Sequence, residues 1–305
     1  MTPFSGMAGA VWPLLLAAVG FFVGLTLIVS GPRGPGSLSV VSEFDVWAVL
    51  IGAQTGLWAV LAPASARALC DLWAHYKVPW LPPVLLHVAL AATVLAGLVA
   101  FGGPARSVDV LAPYSWRIRL LTVVGFLVAL PAVVGIWSVS PALGRLEAKV
   151  GPSGTAWSEA HAEVVRGLIQ LRSVLRRLLG ALGAIVAALT LAAGAQRNAV
   201  LAWGEEVGPS VDFPAVAVIL YGLLFTALVA LIYLPAHARL DGAAQAFVDH
   251  HFPVPDAKPE AAWYSERASL ERLLGLGARP GEAFQAGLSI FAPLSAGLLS
   301  TVLPG

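Results

Sequence analysis

Charged residues are scarce in this chain. They make up 11% of its 305 residues, whereas soluble domains carry about 25%. A soluble chain of this length could not cover its surface with so few charges. The net charge of +1 provides no basic excess for contact with nucleic acid. The composition therefore excludes an ordinary soluble protein, and we predict no nucleic-acid partner.

Cysteines and the common catalytic motifs are also lacking. The single Cys70 excludes an internal disulfide and any pair of cysteine ligands or redox thiols within one chain. The sequence contains no Gly-x-x-x-x-Gly-Lys-Ser/Thr phosphate loop, no His-Glu-x-x-His zinc motif and no Gly-x-Ser-x-Gly nucleophile motif. These absences favour a non-enzymatic protein, and we predict no cofactor.

Long apolar segments without Asp, Glu, Lys or Arg are the dominant positive feature. A helix needs about 20 apolar residues to cross the hydrocarbon core of a bilayer. Six segments meet this requirement: 11–30, 46–63, 83–103, 120–138, 178–195 and 213–234. The sequence therefore predicts an all-α, polytopic membrane protein with six transmembrane helices. The predicted partner of these helices is the lipid bilayer.

Two apolar segments allow a second interpretation. Segment 46–63 contains Gln54 and ends at Pro63, so a re-entrant helix is the alternative to a full crossing. Segment 284–303 is uncharged and long enough to span, but Pro293 interrupts it. We predict a helix docked against the bundle or lying in the interface there, with a seventh span as the alternative.

The basic residues orient the chain. With six crossings, 13 of the 18 Lys and Arg residues fall on the side of the N-terminus, the loops 64–82 and 139–177, and the tail from residue 235. Cytoplasmic loops are enriched in basic residues, so we predict that both termini are cytoplasmic. Fifteen of the 18 are Arg, a bias typical of GC-rich bacteria, and we therefore expect a bacterial inner (plasma) membrane.

The spans divide the chain into four parts. Spans one to four occupy 1–138, a cytoplasmic helical hairpin 139–177, spans five and six 178–234, and a cytoplasmic or interfacial tail 235–305.

An apolar seam with heptad spacing runs along the second arm of the hairpin. Its core positions are Val164, Leu168, Leu171, Leu175 and Leu178. Steps of three and four residues place them on one helix face. The seam either packs against the first arm of its own hairpin or joins the same seam of another subunit. Because it is longer than the short first arm, we predict that it helps to hold a homo-oligomer together.

Two polar clusters lie outside the spans. The first comprises Arg166, Arg172, Arg176 and Arg177, which are predicted to meet anionic lipid headgroups unless they only mark the cytoplasmic side. The second comprises His237, Asp241 and His250, which are weak candidates for metal ligands because their spacing matches no metal motif. We accordingly predict no metal site.

Polar side chains inside a span mark the candidate path for a solute. Gln54 and Thr55 lie between Gly52 and Gly56 in the second span. A Gln at bilayer depth needs hydrogen-bond partners, and these two side chains either face a pore or substrate path or bond to a neighbouring helix.

Three classes of function fit these observations. The first is a non-enzymatic, oligomeric channel, pore or membrane-embedded signalling or effector subunit. The second is a transporter for a neutral or lipidic substrate, and the third is a membrane enzyme or an accessory subunit of one. The spans contain no Asp, Glu, Lys or Arg, which argues against a proton-coupled pump.

Overall fold

The chain folds into α-helices throughout its described part. The computed structural model describes residues 4–100, 109–148, 159–209, 211–253, 261–276 and 280–302. Within these ranges no β-strand occurs. The α-helices are α1 (Phe4–Val29), α2 (Ser42–Tyr76), α3 (Leu81–Ala100), α4 (Ser115–Glu147), α5 (Glu159–Glu206), α6 (Ala215–His251), α7 (Ala261–Leu274) and α8 (Pro280–Val302). Short 3-10 helices at Leu38–Val40 and Asp109–Tyr114 precede α2 and α4.

Five helices in the described ranges are long and apolar enough to cross a membrane: α1, α2, α4, α5 and α6. They contain the predicted segments 11–30, 46–63, 120–138, 178–195 and 213–234 apart from a few end residues. The α3 helix, Leu81–Ala100, contains no Asp, Glu, Lys or Arg, and the predicted segment 83–103 ends at residues outside the described ranges. Where side chains are described, α3 and α8 contribute the apolar stretches Leu81–Ala96 and Ala286–Leu299. The prediction of an all-α chain with several helices able to cross a membrane is thus confirmed, whereas the count of six crossings and their topology stay predictions.

Glycines let α1 approach α2 closely. A Cβ atom on Gly56 would lie 2.7 Å from the carbonyl oxygen of Ala17, so no larger residue fits there. The Thr55 hydroxyl donates a hydrogen bond to the carbonyl oxygen of Gly20 across the same contact, at 2.7 Å. Small residues serve this purpose in membrane helices, where backbones pack closely without a hydrophobic driving force. The α2 helix continues without interruption through Pro63.

The seam predicted as an oligomer contact is buried inside the single chain. Its five residues are Val164, Leu168, Leu171, Leu175 and Leu178, and none is more than 4% exposed. Leu146 of α4 covers Gly167, and Leu178 lies on Gly135 of α4. The helices α2 and α6 also extend past the apolar segments and pack on α5. The sequence interpretation counted only the first arm of the hairpin as an internal partner, whereas α2 and α6 are further neighbours of α5.

The last described helix, α8, lies in a groove between α5 and α6. A Cβ atom on Gly222 of α6 would lie 2.8 Å from the carbonyl oxygen of Pro293. Gly183 of α5 faces Ser289, and Gly297 faces Val218 of α6. These pairs make α8 parallel to α5 and antiparallel to α6. The predicted docking of segment 284–303 against the bundle agrees with this position, and α8 is continuous through Pro293.

Candidate functional site

A cavity of about 160 Å³ lies between α2, α4, α5 and α6. It sits near the ends of these helices that adjoin residues 30–41 and 207–214, which we call the short-loop end. Its lining residues are Trp47, Ile51, Gln54, Ile118, Leu121, Thr122, Leu189, Thr190, Ala192, Ala193, Gln196, Phe213, Val218, Tyr221 and Phe225. The wall is therefore apolar with a few polar side chains, which is typical of small-molecule sites.

Gln54 provides the unsatisfied polar group of this wall. Its side chain is 1% exposed, and both its amide nitrogen and its amide oxygen lack a hydrogen-bond partner. A buried polar group without a partner costs about 1–3 kcal/mol. The lining hydroxyls of Thr122 and Thr190 are satisfied, because each donates to a carbonyl oxygen of its own helix at 2.8 and 3.0 Å. Gln54 therefore places a donor and an acceptor without partners within the wall of the cavity, each with almost no accessible surface.

One side of the cavity lies between α4 and α6. Ile118 and Thr122 of α4 and Tyr221 of α6 line it and are only half-buried. The helix surfaces next to them carry the exposed apolar side chains Leu120, Val123, Leu220 and Leu224. This side of the cavity therefore lies next to apolar outer surfaces of two helices.

Close helix packing ends the cavity on the side away from the short-loop end. The indole nitrogen of Trp58 on α2 donates to the carbonyl oxygen of Ile185 on α5 at 3.4 Å, and Trp58 is fully buried. No residue of α2 beyond Gln54 lines the cavity. The described part of the bundle thus holds a closed-ended chamber at this place.

Aromatic rings close the chamber toward the short-loop end. Trp47 lines the cavity and packs against Phe44 and Tyr114, with ring centroids 5.9 and 5.6 Å apart. The Tyr114 hydroxyl donates to the carbonyl oxygen of Pro32 at 3.3 Å, which ties this aromatic cluster to the loop after α1.

The structure separates the two residues that the sequence analysis paired. Gln54 lines the cavity, but the Thr55 hydroxyl points to α1 and donates to Gly20. Adjacent residues of a helix lie about 100° apart around its axis, so both could not face one path. The hydroxyl of Thr55 also lies 2.9 Å from the carbonyl oxygen of Ile51 on its own helix. Thr55 therefore has the helix-bonding role, and Gln54 the cavity position.

Two of the three metal candidates, His237 and Asp241, form an ion-pair cluster with Arg172. Nδ1 of His237 lies 3.0 Å from Oδ2 of Asp241, and the other carboxylate oxygen of Asp241 pairs with Arg172. His250 is exposed. Among the described residues no three His, Cys, Asp or Glu side chains converge as metal ligands would. Arg172 also donates to the carbonyl oxygen of Leu274, which ties α7 to α5 and α6.

The four predicted lipid-binding arginines point in different directions. Arg172 is held in that ion pair, with 12% of its side chain exposed. Arg176 is half-buried near Tyr233 of α6. Arg166 and Arg177 are exposed and line a second cavity, between α5 and the end of α2. The sequence pattern identified the basic cluster but could not divide it between an internal ion pair and a surface groove.

Comparisons of this chain with known protein families, with curated proteins and with solved structures give no match.

Proposed function

We propose that this protein is a membrane carrier for a neutral, lipophilic molecule that bears one hydrogen-bonding group. The observation that carries the proposal is the buried Gln54 amide, which has no partner and lies in the wall of a closed-ended, apolar cavity. A ligand with a hydroxyl, amide or ester group would satisfy this amide, and its apolar part would contact the remaining wall. Of the functions considered above, a transporter for a neutral or lipidic substrate fits best.

The wall favours a neutral ligand. No Asp, Glu, Lys or Arg lines the cavity. An ion would lose its hydration there without gaining a charged partner, which costs far more than the burial of a neutral polar group. The amide of Gln54 can donate and accept, so it suits alcohols, amides and esters alike.

The size of the cavity and its place next to apolar helix surfaces favour a lipophilic group that enters from the bilayer. An apolar cavity of about 150 Å³ is known to hold benzene, so the chamber of about 160 Å³ takes a ring or a short chain. The proposed entry lies between Thr122 and Tyr221, next to exposed apolar side chains of α4 and α6. A longer molecule would place its polar end at Gln54 and leave its tail among the lipids.

Photolabelling tests the binding step. A diazirine-bearing long-chain alcohol should label cavity residues such as Trp47, Tyr221 and Phe225 in the full-length protein in lipid nanodiscs. The matching hydrocarbon without the hydroxyl should label them about tenfold less, because one well-placed hydrogen bond is worth about 1.4 kcal/mol. In Gln54→Leu this preference should disappear. Thr226→Val is the matched control, since Thr226 is buried without a partner but does not line the cavity.

Transfer to an aqueous acceptor tests the carrier step. Proteoliposomes should deliver a fluorescent long-chain alcohol to albumin faster than protein-free liposomes, and Gln54→Leu should remove most of the acceleration. If the alcohol labels the cavity but its transfer is not accelerated, the carrier proposal fails and the molecule is only a ligand. Equal labelling by the alcohol and the hydrocarbon in the unaltered protein would refute the role of Gln54.

A further inference from the structure

The second cavity, of about 340 Å³, is a polar groove at the other end of the bundle. We call it the hairpin-end groove. The α2 helix contributes Ala68, Asp71, Leu72 and Tyr76, and α5 contributes Arg166, Ile169, Gln170, Leu171, Ser173, Val174 and Arg177. The polar residues of α5 follow one another at steps of four, three and four, so they form one stripe along the helix.

Opposite charges line this groove without pairing. Asp71 lies on one side and Arg166 and Arg177 on the other, yet no ion pair joins them among the described residues. The buried Tyr76 hydroxyl in the same wall also lacks a hydrogen-bond partner. The groove thus offers cationic and anionic groups without an ion-pair partner among the described residues, and a neutral hydroxyl without a partner. Nε of Arg166 donates to the carbonyl oxygen of Ala162 at 3.2 Å.

The groove begins where the apolar segments end. Arg177 directly precedes the apolar segment 178–195, and Ala68 follows the segment 46–63 by a little more than one helical turn. The Trp58–Ile185 hydrogen bond aligns α2 with α5. Counting outward along both helices from this bond places Asp71 about 8 Å farther from the apolar segments than Arg177. A cation at the membrane boundary is therefore followed outward by an anion.

We propose that the hairpin-end groove binds a phosphate ester that carries an ammonium group, as in the headgroup of phosphatidylethanolamine. The phosphate contacts Arg177 at the membrane boundary, where charge-assisted hydrogen bonds are strong. The ammonium group contacts Asp71, and Arg166, Gln170 and the Tyr76 hydroxyl complete the outer part of the site. The order of charges along the groove matches the order of charges in such a headgroup, with the phosphate nearer the acyl chains.

Native mass spectrometry of the delipidated full-length protein tests this site. Titration with phosphatidylethanolamine should give tighter binding than titration with phosphatidylglycerol, which has the phosphate but no amine. Arg177→Gln should weaken the binding of both lipids about tenfold. Asp71→Asn should weaken only the binding of phosphatidylethanolamine and bring it to the level of phosphatidylglycerol. Both side chains are exposed, so unchanged melting temperatures are expected and should be verified.

The controls use charges of the same types outside the groove. Arg145→Gln and Glu147→Gln alter exposed residues near the end of α4 and should leave the affinities for both lipids unchanged. Titration with soluble phosphoethanolamine separates the two sources of this chemistry: comparable affinity indicates a free phosphorylated amine, and much weaker binding indicates a lipid headgroup. An equal affinity for the two lipids, or an unchanged lipid preference in Asp71→Asn, overturns the proposal.

Discussion

At the scale of single residues, the cavity depends on one amide. Gln54 and Thr55 are neighbours in the sequence, but only Thr55 has the hydrogen bonds that a polar side chain in a membrane helix requires. The sequence predicted that both residues are important, because polar side chains are rare in an apolar segment. It could not predict which one is satisfied, since this depends on the rotation of α2 against α1.

The unsatisfied amide leads to a prediction about stability. Gln54→Leu should raise the free energy of unfolding by roughly 1–3 kcal/mol, because it removes a buried polar group without a partner. Thr55→Val should lower this free energy, because it removes the hydrogen bond to the Gly20 carbonyl oxygen. Thermal melting of both variants in the same detergent provides the comparison. A Gln54→Leu protein less stable than the unaltered one would show that the amide has partners within the bundle.

At the scale of helices, α5 organises the fold. It is 48 residues long and packs against α2, α4, α6 and α8. The heptad spacing of its apolar residues predicted a buried face correctly. The partner of that face was not readable, because an apolar stripe looks the same whether it meets a helix of its own chain or of another subunit. Composition and periodicity predicted which segments are helical. The neighbours of each helix are set by long-range packing, which these patterns do not contain.

The buried seam predicts the result of a double substitution. Leu168→Asp together with Leu175→Asp places two charges among fully covered side chains, which costs several kcal/mol for each charge. We expect the hairpin to lose its packing, with fast amide exchange in α4 and α5. The mass of the detergent-solubilised particle should stay unchanged. A homo-oligomer that dissociates while the amides of α5 stay protected would restore the seam as a contact between subunits.

The groove that holds α8 predicts opposite effects for two neighbouring glycines. Gly183→Ala should destabilise the protein and release α8, because the added methyl group would collide with the carbonyl oxygen of Ser289. Gly180→Ala has open space around it and should be neutral or stabilise by about 0.5–1 kcal/mol through helix propensity. Amide exchange in Pro280–Val302 measures the release. Equal amide exchange of α8 in the two variants would mean that the docking of α8 does not depend on this close contact.

At the scale of the whole molecule, the direction of α8 bears on topology. Because α8 runs antiparallel to α6 beside its apolar segment, its end lies level with the start of α6, at the short-loop end. The basic residues predict a cytoplasmic 139–177 hairpin, and with this orientation we expect the end of α8 on the opposite side. This expectation replaces that of a cytoplasmic C-terminal segment. The sequence alone could not decide it, since 284–303 is apolar enough to cross but rich in helix-weakening residues.

Cysteine labelling checks this topology. In a Cys70→Ser background, a cysteine at Glu147 should react with an impermeant maleimide only after the cells are opened. A cysteine at Thr301 should react in intact cells, as should one at Gly208 in the loop between α5 and α6. Labelling of positions 147 and 301 from the same side would show that α8 does not carry the chain across the membrane.

The uninterrupted length of α5 has a consequence for the two cavities. Its 48 residues contain no proline and extend over about 70 Å, so the helix behaves as a stiff rod. The same rod supplies Arg166 and Arg177 to the hairpin-end groove and Thr190 and Gln196 to the chamber near the short loops. The α2 helix likewise lines both. If a bound headgroup tilts this pair of helices, the chamber changes shape and its affinity for its occupant changes. Thermodynamic reciprocity then requires that the occupant change the affinity of the groove for the headgroup by the same factor.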